Sequence, residues 1–236
     1  MKSFGLILYG SLASSLSLAF PLLVTAGLVP GGTWVWADAL MAVGVFAAMQ
    51  AVGIAVLLVI NPQAIEVRNQ GIVSGAQKRQ PLADAIVSTV LFFVLTGLLI
   101  FLPMDVFWLR LLGQVGDTVS IVGGGAAAVS LVGMYVVLAQ NEFAAPNVQD
   151  QSEQGQRLID KGLYGVVRHP FYTCLMGFFC GLTLWLGSYA GLLGCGLLLT
   201  VLAARMMVEE QYLSRNLAGY DAYLTRVRWR IVPYLL

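Results

Sequence analysis

Charged residues leave five long gaps along this chain of 236 residues. The charge-free stretches are 35, 27, 20, 24 and 36 residues long and cover residues 3–37, 39–65, 85–104, 118–141 and 169–204. Because about 20 apolar residues in a helix cross the hydrocarbon core of a bilayer, each of the first four predicts one membrane helix. The fifth is too long for one crossing, and its Gly187-Ser188 pair predicts a break into a helical hairpin. The expected total is six crossings.

Composition supports the same fold class. Hydrophobic residues make up 58% of the chain and charged residues 11%, against about 25% charged residues in soluble domains. The net charge of +1 provides no basic field for nucleic acid. We therefore expect an all-α, polytopic membrane bundle of about six transmembrane helices, and exclude soluble enzymes, nucleic-acid-binding proteins and disordered proteins.

The first predicted helix covers residues 4–29 and ends before Pro30-Gly31-Gly32. Its apolar run is longer than the 7–15 residues typical of a signal peptide. We interpret it as a retained membrane helix, kinked or loosened near Pro21.

Basic residues predict the orientation. On the six-helix topology, 12 of the 13 basic residues lie on one side of the membrane, and only Arg110 lies on the other. The 12 are Lys2, Arg68, Lys78, Arg79, Arg157, Lys161, Arg168, Arg205, Arg215, Arg226, Arg228 and Arg230. The positive-inside rule then places both termini in the cytoplasm, and we expect the bacterial inner (plasma) membrane as the location.

The chain divides at about residue 140 into an N-terminal scaffold and a more polar C-terminal region. In residues 1–140, the small-residue run Gly123–Ala128 predicts close helix packing, and the polar connection 61–84 predicts a short interfacial helix over residues 64–70. Residues 141–236 contain a polar segment (residues 141–170), the helical hairpin that follows it, and a C-terminal helix with one apolar face. That apolar face, interrupted near Gly219, consists of Leu213, Leu217, Tyr220, Leu224 and Val227.

The cysteine and histidine residues give little indication of a metal site. The three cysteines, Cys174, Cys180 and Cys195, all lie in the last apolar stretch, where we interpret them as small core residues. His169 is the one histidine of the chain, so we expect no zinc site of the usual kind.

Two polar elements border the hairpin. Arg168-His169-Pro170-Phe171-Tyr172 precedes it, and Pro170 suits the first turn of a helix. Arg205 and Glu209, followed by Glu210, lie at its exit, four residues apart and so on one helix face. Taken singly, each element fits either a functional site or an ordinary interfacial helix end.

Together these elements resemble the isoprenylcysteine carboxyl methyltransferase and phospholipid methyltransferase family of integral membrane methyltransferases. The shared pattern is Gly162-Leu163-Tyr164, then Arg-His-Pro-x-Tyr, then an apolar hairpin and a glutamate pair, with Tyr172 and Glu209 separated by 37 residues. The closing Gly219-Tyr220-x-x-Tyr223-x-x-Arg226-Val227 fits the same family. The resemblance covers roughly residues 141–233.

The resemblance implies an S-adenosylmethionine-dependent methyltransferase with a cytoplasm-facing cofactor pocket. Glu209, or Glu210, would hold the cofactor, and Arg205 would bind the substrate. Catalytic roles are implied for Arg205, His169 and Tyr172. The remaining residues that the resemblance assigns to the cofactor are Gln149, Gln156, Arg157, Leu158, Ile159, Tyr164, His169, Pro170, Phe171 and Tyr172.

The implied acceptor is lipophilic and enters from the bilayer, with the carboxylate of an isoprenylcysteine-like molecule as the expected nucleophile. A carboxylate needs no general base at pH 7, whereas an amine or thiol acceptor would leave only His169 for that role. Phe171, and Thr173-Cys174 after it, depart from the smaller residues usual in the family. Membrane lipids are the other expected partners, and the oligomeric state stays open.

Two alternatives remain. Membrane sterol reductases share the look of the C-terminal region but bind a nicotinamide cofactor. Its phosphates call for extra basic residues in the cytoplasmic loops, where only Arg157, Lys161 and Arg168 are available. A non-catalytic membrane scaffold that keeps the fold is the other alternative.

Overall fold

The computed structural model describes residues 2–73, 81–148, 151 and 155–234, with the side chains of residues 2–8 and 69–73 excluded. Lys78, Arg79 and Gln149, which the sequence analysis used, lie outside the described residues. The described chain is helical, with 75% of residues in helices. The helices in chain order are α1 (Lys2–Leu28), α2 (Ala37–Ile60), α3 (Pro62–Val73), α4 (Leu82–Met104), α5 (Asp117–Gln140), α6 (Pro170–Trp185), α7 (Gly191–Asn216) and α8 (Tyr220–Arg226).

Within the described residues, five helices are long and apolar enough to cross a membrane. Four of them, α1, α2, α4 and α5, correspond to the first four charge-free stretches, and α7 is the fifth. The sixth predicted crossing corresponds to α6, which is apolar but has 16 residues, or ~24 Å at 1.5 Å per residue. The predicted polytopic helical bundle is thus confirmed, with α6 shorter than a full crossing.

The predicted break of the last apolar stretch is confirmed at Gly187-Ser188, between α6 and α7. Gly187 adopts a φ of +92°, a backbone conformation that a residue with a Cβ rarely adopts. The Ser188 hydroxyl donates to Asp105 Oδ2 at 2.7 Å and accepts the Gly191 N–H at 2.9 Å. Asp105, 1% exposed, also accepts the Leu111 N–H at 2.9 Å. These bonds satisfy the polar groups of a buried turn.

The chain folds as two compact units. Unit 1 comprises Met1–Val56, Phe92–Val132 and Leu175–Leu199, and unit 2 comprises Leu57–Leu91, Gly133–Cys174 and Thr200–Leu236. In unit 1, Leu22, Leu102, Leu182, Leu186 and Leu198 are fully buried. Unit 2 contains the polar connections and both motif elements that the sequence analysis identified.

Close helix packing, the role predicted for the run Gly123–Ala128, is confirmed in unit 1. A Cβ added to Gly181 of α6 would lie 2.6 Å from both Gly123 O and Ala127 N of α5. Gly123 and Ala127 are four residues apart and buried, so they form one face of α5. The backbones of α5 and α6 approach here because neither helix carries a large side chain at the contact.

In unit 2, the predicted interfacial helix over residues 64–70 forms part of α3. The predicted C-terminal helix is interrupted at Gly219, which has a φ of +81° and precedes α8. Tyr220, Tyr223 and Val227 form a buried cluster that packs against Leu158 and three leucines of the predicted face, Leu213, Leu217 and Leu224. The face that the sequence predicts is therefore used for packing within the protein.

Candidate functional site

The candidate site lies in unit 2, where the beginning of α6 meets the second half of α7. The two residues just before α6 are positioned by the C-terminal segment, residues 229–231. The Arg168 N–H donates to Trp229 O at 2.9 Å, and the His169 N–H donates to Arg230 O at 2.8 Å. The Thr173 hydroxyl donates to Ile231 O at 2.6 Å. These three bonds bind the segment to the first turn of α6.

Tyr172 connects the two motif elements. Its hydroxyl donates to Glu209 Oε2 at 2.8 Å and accepts the Arg205 Nε–H at 2.8 Å. Because Arg205 and Glu209 lie one turn apart on α7, one phenol from α6 reaches both. The side chain of Glu209 is 29% exposed, so part of this carboxylate stays accessible to a ligand.

Arg205 is 4% exposed and makes contacts within the protein through all three nitrogens. Nε binds Tyr172, Nη1 binds the Ser88 hydroxyl, and Nη2 binds the Pro146 carbonyl. Nη1 also lies 3.7 Å from Oδ1 of Asp84, a residue with no exposed surface. Arg205 thus joins α7 to α4 and to the polar segment, and its predicted role in substrate binding stays a prediction.

Glu210 has a different environment from Glu209. Its carboxylate lies 3.1 Å from His169 Nε2, 3.3 Å from Arg168 Nη1 and 3.0 Å from Arg230 Nη2. The residue is 7% exposed, so three cationic or donor groups surround a nearly buried carboxylate. Of the two glutamates, Glu209 therefore retains more capacity to bind a ligand.

His169 is 5% exposed and lies between the two carboxylates. Nε2 contacts Glu210 at 3.1 Å, and Nδ1 lies 3.9 Å from Glu209 Oε2. The imidazole stacks on Tyr172 with ring centroids 5.5 Å apart and an interplanar angle of 17°. These contacts fix the ring and thereby help to orient the Tyr172 phenol.

Tyr164 follows the polar segment in a 3-10 turn, Gly162–Gly165. Its carbonyl accepts the Tyr223 hydroxyl at 2.8 Å. Burial raises the pKa of Tyr164 to about 12, partly offset by a hydrogen bond with Asn141, and the nearby Glu209 adds to the rise. Tyr164 is therefore neutral at physiological pH and lies within electrostatic range of Glu209.

Not every predicted site residue joins this cluster. Tyr172, His169, Arg205, Glu209 and Glu210 come together, and Pro170 and Phe171 flank them in the first turn of α6. The four residues predicted before the Gly-x-Tyr element make other contacts: the Gln156 N–H donates to Gln151 O, Arg157 pairs with Glu142 at the surface, Leu158 packs in the tyrosine cluster, and Ile159 is half-buried. No described contact links these four to Glu209.

The structure also brings in residues that the sequence analysis did not assign to the site. Asp84 and Ser88 of α4 contact Arg205, Arg230 contacts Glu210, and Arg68 of α3 lies over the Phe171 ring at 5.5 Å. One feature of the sequence pointed to Asp84: it lies directly before an apolar stretch, where a carboxylate is costly to bury unless it is paired. Within the described part of the chain, no group of three or more His, Cys, Asp or Glu side chains is arranged to hold a metal ion.

The region that contains this cluster matches a known protein family. Residues 119–219 match the model of the phospholipid methyltransferase family, whose members are membrane methyltransferases and generally use S-adenosylmethionine. No curated protein and no solved structure matches the chain significantly. The long apolar helices and this match together indicate an integral membrane protein. The matched region includes Tyr172, Arg205 and Glu209, and the match confirms the family resemblance that the sequence motifs predicted.

Proposed function

We propose that this protein is an S-adenosylmethionine-dependent methyltransferase that methylates a carboxylate of a lipophilic, isoprenylcysteine-like acceptor. The observation that carries the proposal is the Glu209 carboxylate, held by Tyr172 and still 29% exposed. One phenol occupies one of roughly four lone-pair positions on a carboxylate. The remaining positions suit the ammonium group or the ribose hydroxyls of the cofactor.

The residues present fit this cofactor. S-adenosylmethionine supplies a methyl group bonded to a sulfonium, which is already a strong electrophile. The protein then has to hold the nucleophile in line with that carbon, a proximity effect. Glu209 would bind the cofactor, and Tyr172 and Arg205 keep Glu209 in place. The aromatic faces of Tyr164 and Tyr172 suit a neighbouring cation.

The carboxylate acceptor is supported by the state of His169. A carboxylate is ionised at pH 7 and needs no base, whereas an amine or thiol would have to lose a proton. His169 Nε2 is engaged by Glu210, and the residue is 5% exposed. With so little exposed surface, the imidazole is poorly accessible to an acceptor that would have to transfer a proton to it.

Calorimetric titration of detergent-purified protein tests the cofactor assignment. We expect saturable binding of S-adenosylhomocysteine and none of NADPH; binding of NADPH alone would assign the protein to the reductases, and binding of neither would favour the scaffold. Glu209→Gln should raise the Kd for S-adenosylhomocysteine at least tenfold, a change of about 1.4 kcal/mol. Asp221→Asn, at an exposed position on α8, is the matched control.

A radiolabel assay tests the acceptor. The protein is incubated with S-adenosylmethionine tritiated in the methyl group, together with N-acetyl-S-farnesylcysteine or with phosphatidylethanolamine vesicles. A methyl ester releases volatile label in base, whereas an N-methyl group does not. Base-labile label on the prenylcysteine is the expected result. Base-stable label on the phospholipid would replace the carboxylate with an amine as the acceptor.

We also propose that both termini face the cytoplasm at the plasma membrane, with the basic connections on the same side. Single cysteines placed at Arg110 and Arg215 in a cysteine-free variant test this topology in intact cells. A membrane-impermeant maleimide should label position 110 and spare position 215. The reverse labelling would invert the topology.

A further inference from the structure

Arg68 differs from every other arginine that the structure describes. Arg157, Arg168, Arg205, Arg226 and Arg230 each form an ion pair with a carboxylate. The other described arginines, apart from Arg68, are exposed: Arg110, Arg215 and Arg228. Arg68 is half-buried, and within the described residues no carboxylate pairs with it.

The surroundings of Arg68 consist of neutral groups. Nη1 donates to the Ala144 carbonyl at 3.2 Å, and the guanidinium carbon lies 5.5 Å from the centre of the Phe171 ring. The phenols of Tyr135, Tyr164 and Tyr172 are within electrostatic range of its charge. Burial lowers the pKa of Arg68, and these phenols oppose the shift. The guanidinium stays charged, because an arginine is not deprotonated in a protein.

Holding an unpaired cation away from water costs free energy that one carbonyl and one ring only partly offset. A guanidinium has five N–H donors in a rigid fork, and Ala144 accepts one of them. The same fork matches the two oxygens of a carboxylate. Arg68 is therefore equipped for an anion that the described residues do not provide.

We propose that Arg68 binds a ligand carboxylate in the methyl-transfer site, a proposal that rests on the proposed function above. Phe171 places Arg68 beside this site, since its ring lies beneath the guanidinium and the next residue, Tyr172, donates to Glu209. An unpaired cation and a partly exposed anion thus lie against two consecutive residues of α6. The amino-acid end of the cofactor carries both complementary charges, and the proposed acceptor carries a carboxylate of its own.

Phe171 has a role under this proposal. Phe171 is bulkier than the residue usual at this position in the family, and its ring lies beneath Arg68. The ring supports the guanidinium by a cation–π contact, which uses none of the N–H donors that remain beside the one bound to Ala144.

The experiment compares Arg68→Met with wild-type protein, with Arg215→Met as the matched control at an exposed position. Binding is measured for S-adenosylhomocysteine and for its decarboxylated analogue, which keeps the adenosine and the ammonium. Arg68→Met should raise the Kd for S-adenosylhomocysteine at least tenfold and leave the Kd for the analogue within twofold. This result assigns the carboxylate to the cofactor.

A second arm tests whether the carboxylate bound by Arg68 belongs to the acceptor. An unchanged Kd for S-adenosylhomocysteine with a tenfold higher KM for N-acetyl-S-farnesylcysteine would place the acceptor carboxylate on Arg68. Equal losses for S-adenosylhomocysteine and its analogue would show that Arg68 only packs the site, and would overturn the proposal. Unchanged values in both arms would overturn it as well.

Arg68→Lys keeps the charge without the fork and serves if Arg68→Met does not fold. It should raise the Kd or KM of the carboxylate-bearing ligand threefold or more and spare the decarboxylated analogue; a wild-type value for every ligand would overturn the proposal. Wild-type protein that binds no S-adenosylhomocysteine would refute the proposed function itself and this inference with it. Wild-type binding that is insensitive to Arg68 in both arms would refute the inference alone.

Discussion

Replacing Tyr172 with phenylalanine removes a single oxygen that two charged groups share. Arg205 Nε donates to that oxygen, and the oxygen donates to Glu209 Oε2, both at 2.8 Å. A hydrogen bond to a charged group contributes about 1.5–3 kcal/mol to stability. Glu209, 29% exposed, can take water as a substitute, but Arg205, 4% exposed, cannot. We therefore expect Tyr172→Phe to lower the free energy of unfolding by about 2–3 kcal/mol.

The same change should weaken the binding of S-adenosylhomocysteine, because Glu209 loses the contact that orients it. We expect the Kd to rise about tenfold, equivalent to about 1.4 kcal/mol. Unfolding in mixed detergent micelles followed by circular dichroism measures the first effect, and calorimetry measures the second. Tyr9→Phe, which removes a hydroxyl from a residue 69% exposed on α1, is the control. A Tyr172→Phe protein with wild-type stability and affinity would refute the link between Arg205 and Glu209.

Three smaller predictions concern charge. Arg168→Met should destabilise the protein more than Arg230→Met in the same unfolding assay. Both arginines pair with Glu210, but the Arg168 side chain is 11% exposed and the Arg230 side chain 38%. The more exposed pair, with Arg230, contributes only up to about 1 kcal/mol. Arg110→Gln should leave methyl transfer at the wild-type rate, since we place Arg110 on the outer side of the membrane; an inactive variant would contradict that topology. Between pH 8 and about 10, the pKa of a free phenol, Tyr164 and Tyr223 should leave stability unchanged. Between about pH 10 and 12 stability should fall, because burial raises the pKa of Tyr164 to about 12 and also raises that of Tyr223. Unfolding from pH 8 to 12 should show a shallower fall for Tyr164→Phe.

The helices could be predicted because a bilayer imposes length and polarity on consecutive residues. Helices α1, α2, α4 and α5 each begin within one turn of the start of a charge-free stretch of 20 residues or more. Gly187 of the Gly187-Ser188 pair lies at the hairpin turn. Helix ends were less predictable. The last helix, α7, extends to Asn216, well beyond the final apolar residue of its stretch, because Arg205, Glu209 and Glu210 find partners within the protein.

The site was predictable where its residues are close in sequence or belong to a family pattern. Tyr172 and Glu209 are 37 residues apart, but both belong to the family pattern, and the structure joins them by a hydrogen bond. Arg68 and Asp84 were not predicted, because their contacts with Phe171 and Arg205 join positions more than 100 residues apart. A single sequence contains local periodicity and known motifs, but no record of which distant polar residues meet in space.

Gly181 provides a test of the close approach of α5 and α6 that does not depend on the site. A Cβ at Gly181 would lie 2.6 Å from two backbone atoms of α5, and backbone cannot move aside as a side chain can. Overpacking of this kind costs about 1–3 kcal/mol, which exceeds the gain of about 0.5–1 kcal/mol from replacing a helical glycine by alanine. Gly181→Ala should therefore destabilise the protein.

Gly125→Ala is the matched control, because Gly125 belongs to the same small-residue run, is exposed, and has no neighbouring atom within 4 Å of an added Cβ. Only the gain in helix propensity applies there, so this variant should be as stable as wild type or more stable by up to about 1 kcal/mol. Unfolding in mixed micelles should order the three proteins as Gly125→Ala, wild type and Gly181→Ala, from most to least stable. Equal stabilities for the two variants would mean that the run acts through helix propensity alone and that α5 and α6 do not require the close approach.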